Sequence, residues 1–324
     1  MSLDVLVNRV VDKTNFDSLS SYIDFARSYL DYIERQRQAV ILCQNERDYL
    51  FFQYGDDGHR NVTRPLNGKL WLKRSKIDQS WESTTTLMRE LRNGQRPAAD
   101  LRAQLVPTVY TLQQAIGSAL DALPSGQTNR ARKVNGDLFE RLVRLLINEC
   151  GVTCAAGTVR VPVKDADGAK LFDVNYQRDL VVEHADKVVL IGSVKTSSKD
   201  RIDKVFIDKF FYNRLTESQT PHIAIYLNDV QRAGALKAGR YKVSGTFLPG
   251  RFKGYSLRLN AMDGVYYCDM RPNMTSDAML AEMIKPFDRF ICHDLFDFIA
   301  ASRGVEVEFA PGLQEEGEAY EVDV

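Results

Sequence analysis

The sequence is short of the features that usually announce a function. Its 324 residues carry no formal net charge, because 43 Lys and Arg balance 43 Asp and Glu. A bulk attraction to nucleic acid is thereby excluded, and any such surface must be a local basic patch compensated elsewhere. Cysteine is scarce: Cys43, Cys150, Cys154, Cys268 and Cys292 form an odd set in which only Cys150 and Cys154 stand close together. With no Cys-x-x-Cys pair and only four scattered histidines, a zinc-ligand array is excluded and reduced thiols in a cytoplasmic protein are expected. No apolar run approaches the ~20 residues that cross a bilayer. The N-terminal MSLDVLVNRVVDK holds an acid and a base within its apolar stretch, unlike a signal peptide. The chain has no GxxxxGK[ST] or GxGxxG loop, so chemistry on small phosphorylated substrates has no support. Internal repeats and low-complexity tracts are absent.

What is present is an ordinary globular composition, 44% hydrophobic and 27% charged, enough for a sizeable core in one large domain or two modest ones. The first third reads as helical. In SLSSYIDFARSYLDYIERQRQAVILC, Tyr22, Phe25, Tyr29, Leu30, Tyr32 and Ile33 recur at helical spacing. Residues Gln53 to Lys69 are rich in turn formers and predict a loop or loose hairpin. ESTTTLMRELRNG predicts a helix, and VPTVYTLQQAIGSALDAL another, opening after Pro107. The polar, basic LPSGQTNRARK marks a candidate hinge, dividing a mainly helical region, 1–125, from a second domain, 126–324. Its Arg130, Arg132 and Lys133 either touch phosphate or are simply solvated.

Beyond that point the pattern changes. VNGDLFERLVRLLINECG is a strong helix with Leu138, Leu142, Leu145 and Leu146 on one face and Gly151 as its stop. GTVRVPV, KLFDVNYQRDLVVEH and KVVLIGSVKT read as strands. The helix DRIDKVFIDKFFYNRL follows, then the strand HIAIYLN, then strands at SGTFLP, YSLRLN and GVYYCDM. A last helix is expected from about Ser276, bent near Pro286. The acidic tail LQEEGEAYEVDV is expected to be mobile or an edge. This order predicts an α/β fold with a mixed central sheet flanked by helices.

The chemistry concentrates in RDLVVEHADKVVLIGSVKTSSKDR, Arg178 to Arg201. A reversal at Ala185–Asp186 brings Asp179 and Lys195 to the same open end of a hairpin. Ser193 and Lys195 share a face because strand side chains alternate. A carboxylate, a hydroxyl and an ammonium thus converge where two strands part. Phosphodiester hydrolysis uses such a cluster: a carboxylate holds a divalent cation that acidifies water, and a lysine stabilises charge on the phosphate. Oxygen ligands suit Mg²⁺, which is usually held by one or two carboxylates.

These residues, with FERLV upstream, resemble the PD-(D/E)XK nuclease superfamily. Arg178 stands where its usual proline would, and Ser193 where its usual second acid would. That combination is similar to the Ser-x-Lys branch of type II restriction endonucleases, which read CCGG or CCNGG cores and take the missing acid from the next helix. The resemblance implies a restriction-endonuclease-like core in which Asp208, thirteen residues after Lys195, joins Asp179 and the Val194 carbonyl as Mg²⁺ ligands. Lys195 would assist water and phosphate. Asp203 is the alternative to Asp208, and Asp173 to Asp179. Glu140 would support the metal site from the first helix, or pair with Arg144 four residues on. The branch's Lys-Thr-Ser-x-Arg-Glu-Arg is matched in class by Lys195 to Arg201, so Lys199, Asp200 and Arg201 would read C·G pairs: a base on guanine, a carboxylate on the cytosine amino group. KTSSKDR also suits a plain helix cap. Arg240, Lys242, Arg251 and Lys253, interleaved with Tyr241, Phe247 and Phe252, would line a DNA cleft or a solvated sheet face. The implied activity is Mg²⁺-dependent, sequence-specific cleavage of double-stranded DNA at a palindromic GC-containing site by a homodimer or higher homo-oligomer. The 1–125 region would add contacts to DNA or to a second copy. The rivals are a structure-directed or repair nuclease of the same superfamily, and an inactive DNA-binding protein that kept the fold.

Overall fold

The computed structural model describes residues 1–55, 62–185, 187–199, 201–233 and 241–303. Asp200, Arg240 and the acidic tail expected to be mobile lie outside the described residues.

The chain opens with helices α1 (Leu3–Val11) and α2 (Leu19–Gln36), the latter burying the expected stripe of Tyr22, Phe25, Tyr29, Leu30, Tyr32 and Ile33. The helical reading overshoots here. QAVIL is not helix but strand β1 (Arg37–Leu42), antiparallel to β2 (Tyr49–Tyr54), which pairs with β3 (Leu66–Asn67). A run of four apolar residues fits either period; here Ala39 to Leu42 alternate in burial against Leu50 to Gln53. Helices α3 (Arg74–Arg92) and α4 (Ala99–Leu120) follow. Pro107 lies inside α4 rather than at its start. Nearly every α4 residue from Leu105 onward is buried, and that packing outweighs the one helical hydrogen bond that proline forgoes.

The expected hinge is largely helix. Helix α5 begins at Thr128 and runs to Glu149, so Arg130, Arg132 and Lys133 occupy its first turns. Buried Gln113 on α4 donates to the Asn135 carbonyl at 3.0 Å, and the Tyr22 hydroxyl donates to that of Leu138 at 2.8 Å. One continuous apolar core runs from Leu3 through α4 and α5 to Ile299. The two sides of the 125/126 boundary therefore share a core.

The central sheet has six strands in the order β11-β10-β7-β6-β5-β4. Strands β4 (Cys154–Lys164), β5 (Lys170–His184) and β6 (Lys187–Lys195) are antiparallel neighbours. After α6 (Ile202–Thr216), strand β7 (His222–Tyr226) returns parallel to β6. A separate ribbon of β8 (Val230–Arg232) and β9 (Val243–Gly245) takes up the start of SGTFLP. YSLRLN is not a strand: helix α7 (Pro249–Arg258) holds it, with Pro249 in the first turn and Phe252 and Tyr255, three apart, against Phe206. Strand β10 (Gly264–Tyr267) is parallel to β7. The last predicted helix is broken in two. Short helices α8 (Pro272–Thr275) and α9 (Ala278–Met283) precede β11 (Ile284–Pro286), and α10 (Phe287–Arg289), a π-helical turn Phe290–Asp294 and α11 (Leu295–Arg303) follow. Pro286 lacks a donor, which confines it to an edge strand, and β11 is the edge.

Helix α5 covers one sheet face, packing Leu138, Leu142 and Leu146 in the core that holds Leu180, Leu190, Ile223 and Ile225. On the other face Ile202, Val205 and Phe206 of α6, with Phe252, pack with Ala224, Tyr226, Val265 and Tyr267. The alternation along β7 feeds both cores. The result is a three-layer α/β/α sandwich with a mixed sheet, as expected. No helix among the described residues is long and apolar enough to cross a membrane.

Candidate active site

Strands β5 and β6 stay paired only as far as Leu180 and Gly192. One residue further the ladder opens, and the Asp179 side chain takes over: its Oδ2 accepts from the Val194 N–H at 3.0 Å. The same oxygen accepts from the Lys195 ammonium. A strand residue's N–H and C=O point to the same edge, so the Val194 carbonyl also faces this opening. The Lys195 carbonyl points the other way, accepting from Leu227 across the sheet.

Helix α5 brings the third member. Lys195 Nζ donates to Glu140 Oε1 at 3.0 Å. Arg144, the alternative partner for Glu140, instead donates to the Asp179 carbonyl at 2.7 Å, tying the helix to β5. Burial and the neighbouring Asp179 charge push the Glu140 carboxyl above its usual range, while Lys195 pulls it back. Burial alone would depress Lys195, but the carboxylates of Asp179 and Glu140 more than offset it and raise its pKa. Lys195 is thus a firmly charged ammonium at neutral pH.

Asp208 sits across the same cavity, of about 370 Å³, lined by Asp179, Ser193, Lys195, Arg201 and Lys204 among others. Its Oδ2 pairs with Lys204 Nζ at 2.6 Å and Arg178 Nη1 at 3.3 Å. It is not bonded to Lys195. Of the alternatives, Asp203 pairs with Arg251 at 3.2 Å and Asp173 with Lys170 at 2.7 Å; neither lines this cavity.

A second cavity, of about 590 Å³, adjoins at Lys195 and Arg201 and is lined by Arg132, Lys133, Asp137, Glu140, Thr196 and Lys199 among others. Arg178, Lys195, Arg201, Lys204, Arg132, Lys133 and Lys199 outnumber Asp179, Asp208, Asp137 and Glu140 across the pair. A chain with no net charge has gathered cations in this cleft. Residues 196–199 and Arg201 lie between β6 and α6, with Ser198 buried and its hydroxyl 2.9 Å from that of Thr246. The second basic-aromatic set, without Arg240, is only partly at the surface. Phe247 and Phe252 are buried in the core, and Lys253 is paired with Asp277 at 2.5 Å.

Oxygen donors dominate the site, as a hard cation requires. Among the described residues, Asp179 Oδ1, Glu140 Oε2 and Asp208 Oδ1 carry no hydrogen bond, since each acid commits only its other oxygen. The acids offer oxygen donors of the kind Mg²⁺ takes, but among the described residues no three acids, histidines or cysteines converge on one point.

No protein-family model matches the chain. No curated protein matches it significantly. Among solved structures, the type IIP restriction endonuclease Kpn2I aligns over 93% of this chain and 98% of that one, with a TM-score of 0.67 and 14% identity. The fold is that of a restriction endonuclease. With so little uncovered, the match takes in the N-terminal helices as well as the sheet. The restriction endonuclease PspGI in complex with substrate DNA covers 69% of this chain and 92% of that one, at 10% identity and a TM-score of 0.38, too low to argue from.

Arg178 went unnoticed in the sequence as a contributor to the site. Only the missing proline flagged it, and nothing local predicts that it reaches a carboxylate thirty residues on. Asn175 and Gln177 also line the cavity beside Asp179, and the register shift between Arg178 and Val181 hid them from strand alternation.

Proposed function

We propose that the chain is a type II restriction endonuclease, cleaving double-stranded DNA with Mg²⁺ at a palindromic GC-containing site as a homodimer. The observation that carries this reading is the Asp179–Lys195–Glu140 cluster at the parting of β5 and β6, set in a basic cleft on a restriction-endonuclease fold. Kpn2I, which shares that fold, is a type IIP restriction endonuclease.

Bound Mg²⁺ acidifies a water and neutralises charge on the phosphate. Asp179, the Val194 carbonyl and a second acid, Glu140 or Asp208, would hold it. Lys195 keeps its proton and stabilises the charge that develops on the phosphate oxygens. Ser193, on the cavity wall, offers a hydroxyl where the superfamily more often places an acid. Lys199 and Arg201 line the cleft and would meet guanine edges, with Asp200 between them in sequence. A palindromic target requires a two-fold assembly.

The test is plasmid digestion with Mg²⁺, wild type against Lys195→Ala. Discrete fragments from wild type, and a loss on the order of 100-fold or more in the variant, are expected. A smear or junction-only cutting would mark a structure-directed nuclease. The absence, among the described residues, of a converging triplet of metal-binding side chains favours one other reading, a non-cleaving DNA-binding protein, which predicts sequence-selective binding with no cleavage under any metal or salt condition.

A further inference from the structure

The sheet's antiparallel edge runs on past the catalytic corner. Strand β6 ends at Lys195, and β5 pairs with it only from Leu180 onward. Residues 157–164 and 170–178 therefore pair only with each other, as a two-stranded ribbon beyond Asp179. Such a ribbon is marginal alone in water, and here one face is anchored. Val161 and Tyr176 pack with Ile191 and Tyr212, the two tyrosine rings meeting edge to face at 6.2 Å.

The opposite face is polar. Thr158 stands across from Gln177, and Arg160 across from Asn175. All four are exposed, and among the described residues no side-chain hydrogen bond engages them. Between Arg178 and Val181 the ladder with β4 shifts register, a bulge at Asp179 and Leu180, so this face ends at the bulge beside the catalytic carboxylate. Asn175 and Gln177 line the same cavity as Asp179 and Lys195. A face kept only for solubility or to blunt an edge favours lysine and other charges; this one offers two carboxamides, a hydroxyl and a guanidinium.

We propose that this ribbon face reads base-pair edges in the major groove beside the scissile phosphate, with Asn175 and Gln177 selecting adenine. The proposal rests on the nuclease reading above. The major groove admits a two-stranded ribbon, and a carboxamide pairs with adenine N6 and N7 at once. Same-face side chains lie about 7 Å apart along a strand, close to two base steps of about 3.4 Å. The target then holds A·T pairs beside the C·G pairs assigned to the loop before α6.

The experiment is cleavage of a random-sequence duplex library with Mg²⁺, sequencing the cut ends for wild type, Asn175→Ala and Gln177→Ala. Bound duplexes are also selected with Ca²⁺ in place of Mg²⁺, and thermal melting confirms that both variants are folded. Wild type is expected to require adenine within a few base pairs of the cut. At least one variant is expected to lose about 10- to 100-fold of that discrimination, in cleavage or in the bound pool. If both variants keep the wild-type preference, the ribbon does not read DNA, while the nuclease reading stands. If wild type neither cuts nor enriches any sequence, the nuclease reading falls and this inference with it.

Discussion

Arg178 precedes Asp179 and carries a charge that has little solvent to share it, its side chain being 4% exposed. Its guanidinium carbon lies over the Tyr176 ring, 4.5 Å from the centroid, and Nη1 faces Asp208, but among the described residues Nε and Nη2 have no hydrogen-bond partner. Asp208 is therefore the anion that makes this buried cation tolerable. Removing one partner of a buried pair costs about 3 kcal/mol or more, so Asp208→Ala should lower the melting temperature whether or not Asp208 binds metal. Pairing it with Arg178→Met should restore much of that loss. Glu140, which shares Lys195 with Asp179, is the other candidate for the second ligand. Glu140→Gln is expected to slow cleavage on the order of 100-fold and raise the Mg²⁺ needed, with melting little changed. Titrating Mg²⁺ against cleavage rate for Glu140→Gln and Asp208→Asn decides between them. If Asp208→Asn abolishes cleavage at unchanged melting temperature, the second acid is Asp208. The Asp179–Lys195 meeting was legible in the sequence because it needs only strand alternation and one reversal. The pairing of Asp208 with Arg178 was not, because it depends on how a helix lies over a strand.

Helix α5 does three tasks along 22 residues. Its middle and C-terminal leucines fill the core, Glu140 reaches Lys195, and its first turns place Arg132 and Lys133 on the cleft. The leucine face was legible from its period. The basic first turns were read as a linker because Ser125, Gly126 and Asn129 are turn formers in isolation, and packing against α4 outweighs that preference. Similar overrides produced α7 and β11, short segments whose local pattern fits two structures equally well. If Arg132 and Lys133 each neutralise one phosphate, Arg132→Ala/Lys133→Ala removes two released counterions. The slope of log binding constant against log salt should then fall by about 1.8. Binding of a duplex with Ca²⁺, measured across salt concentrations, checks this; an unchanged slope would return both residues to solvent.

At the scale of the whole molecule, the small N-terminal sheet is bolted to the C-terminal ends of β7 and β10 through buried acids. Asp269 accepts from the Tyr49 hydroxyl at 2.8 Å and from Asn67 Nδ2 at 2.7 Å. Asp229 is fully buried, and Arg271 stands 3.7 Å away while pairing with Glu46 at 2.6 Å. Burial raises both carboxyls to about 6. An acid whose pKa is raised by folding binds more protons folded than unfolded. Its stabilisation is complete below the unfolded value of 3.8 and is lost as pH rises through about 6. His222 and His293 act in the opposite direction, since burial lowers both to about 4 and acid then favours the unfolded chain. Wild-type melting against pH therefore mixes the two effects, and the informative quantity is a difference between proteins. Asp229→Asn removes the buried charge and leaves Arg271 its Glu46 partner. At pH 8 the variant should be the more stable, by about 1–3 kcal/mol, and the advantage should hold down to near pH 6 and shrink from there toward pH 4. Denaturant unfolding of both proteins at several pH values measures this difference directly. A difference that stays constant with pH would mean that Asp229 does not change protonation in that range, and that its charge is compensated within the fold.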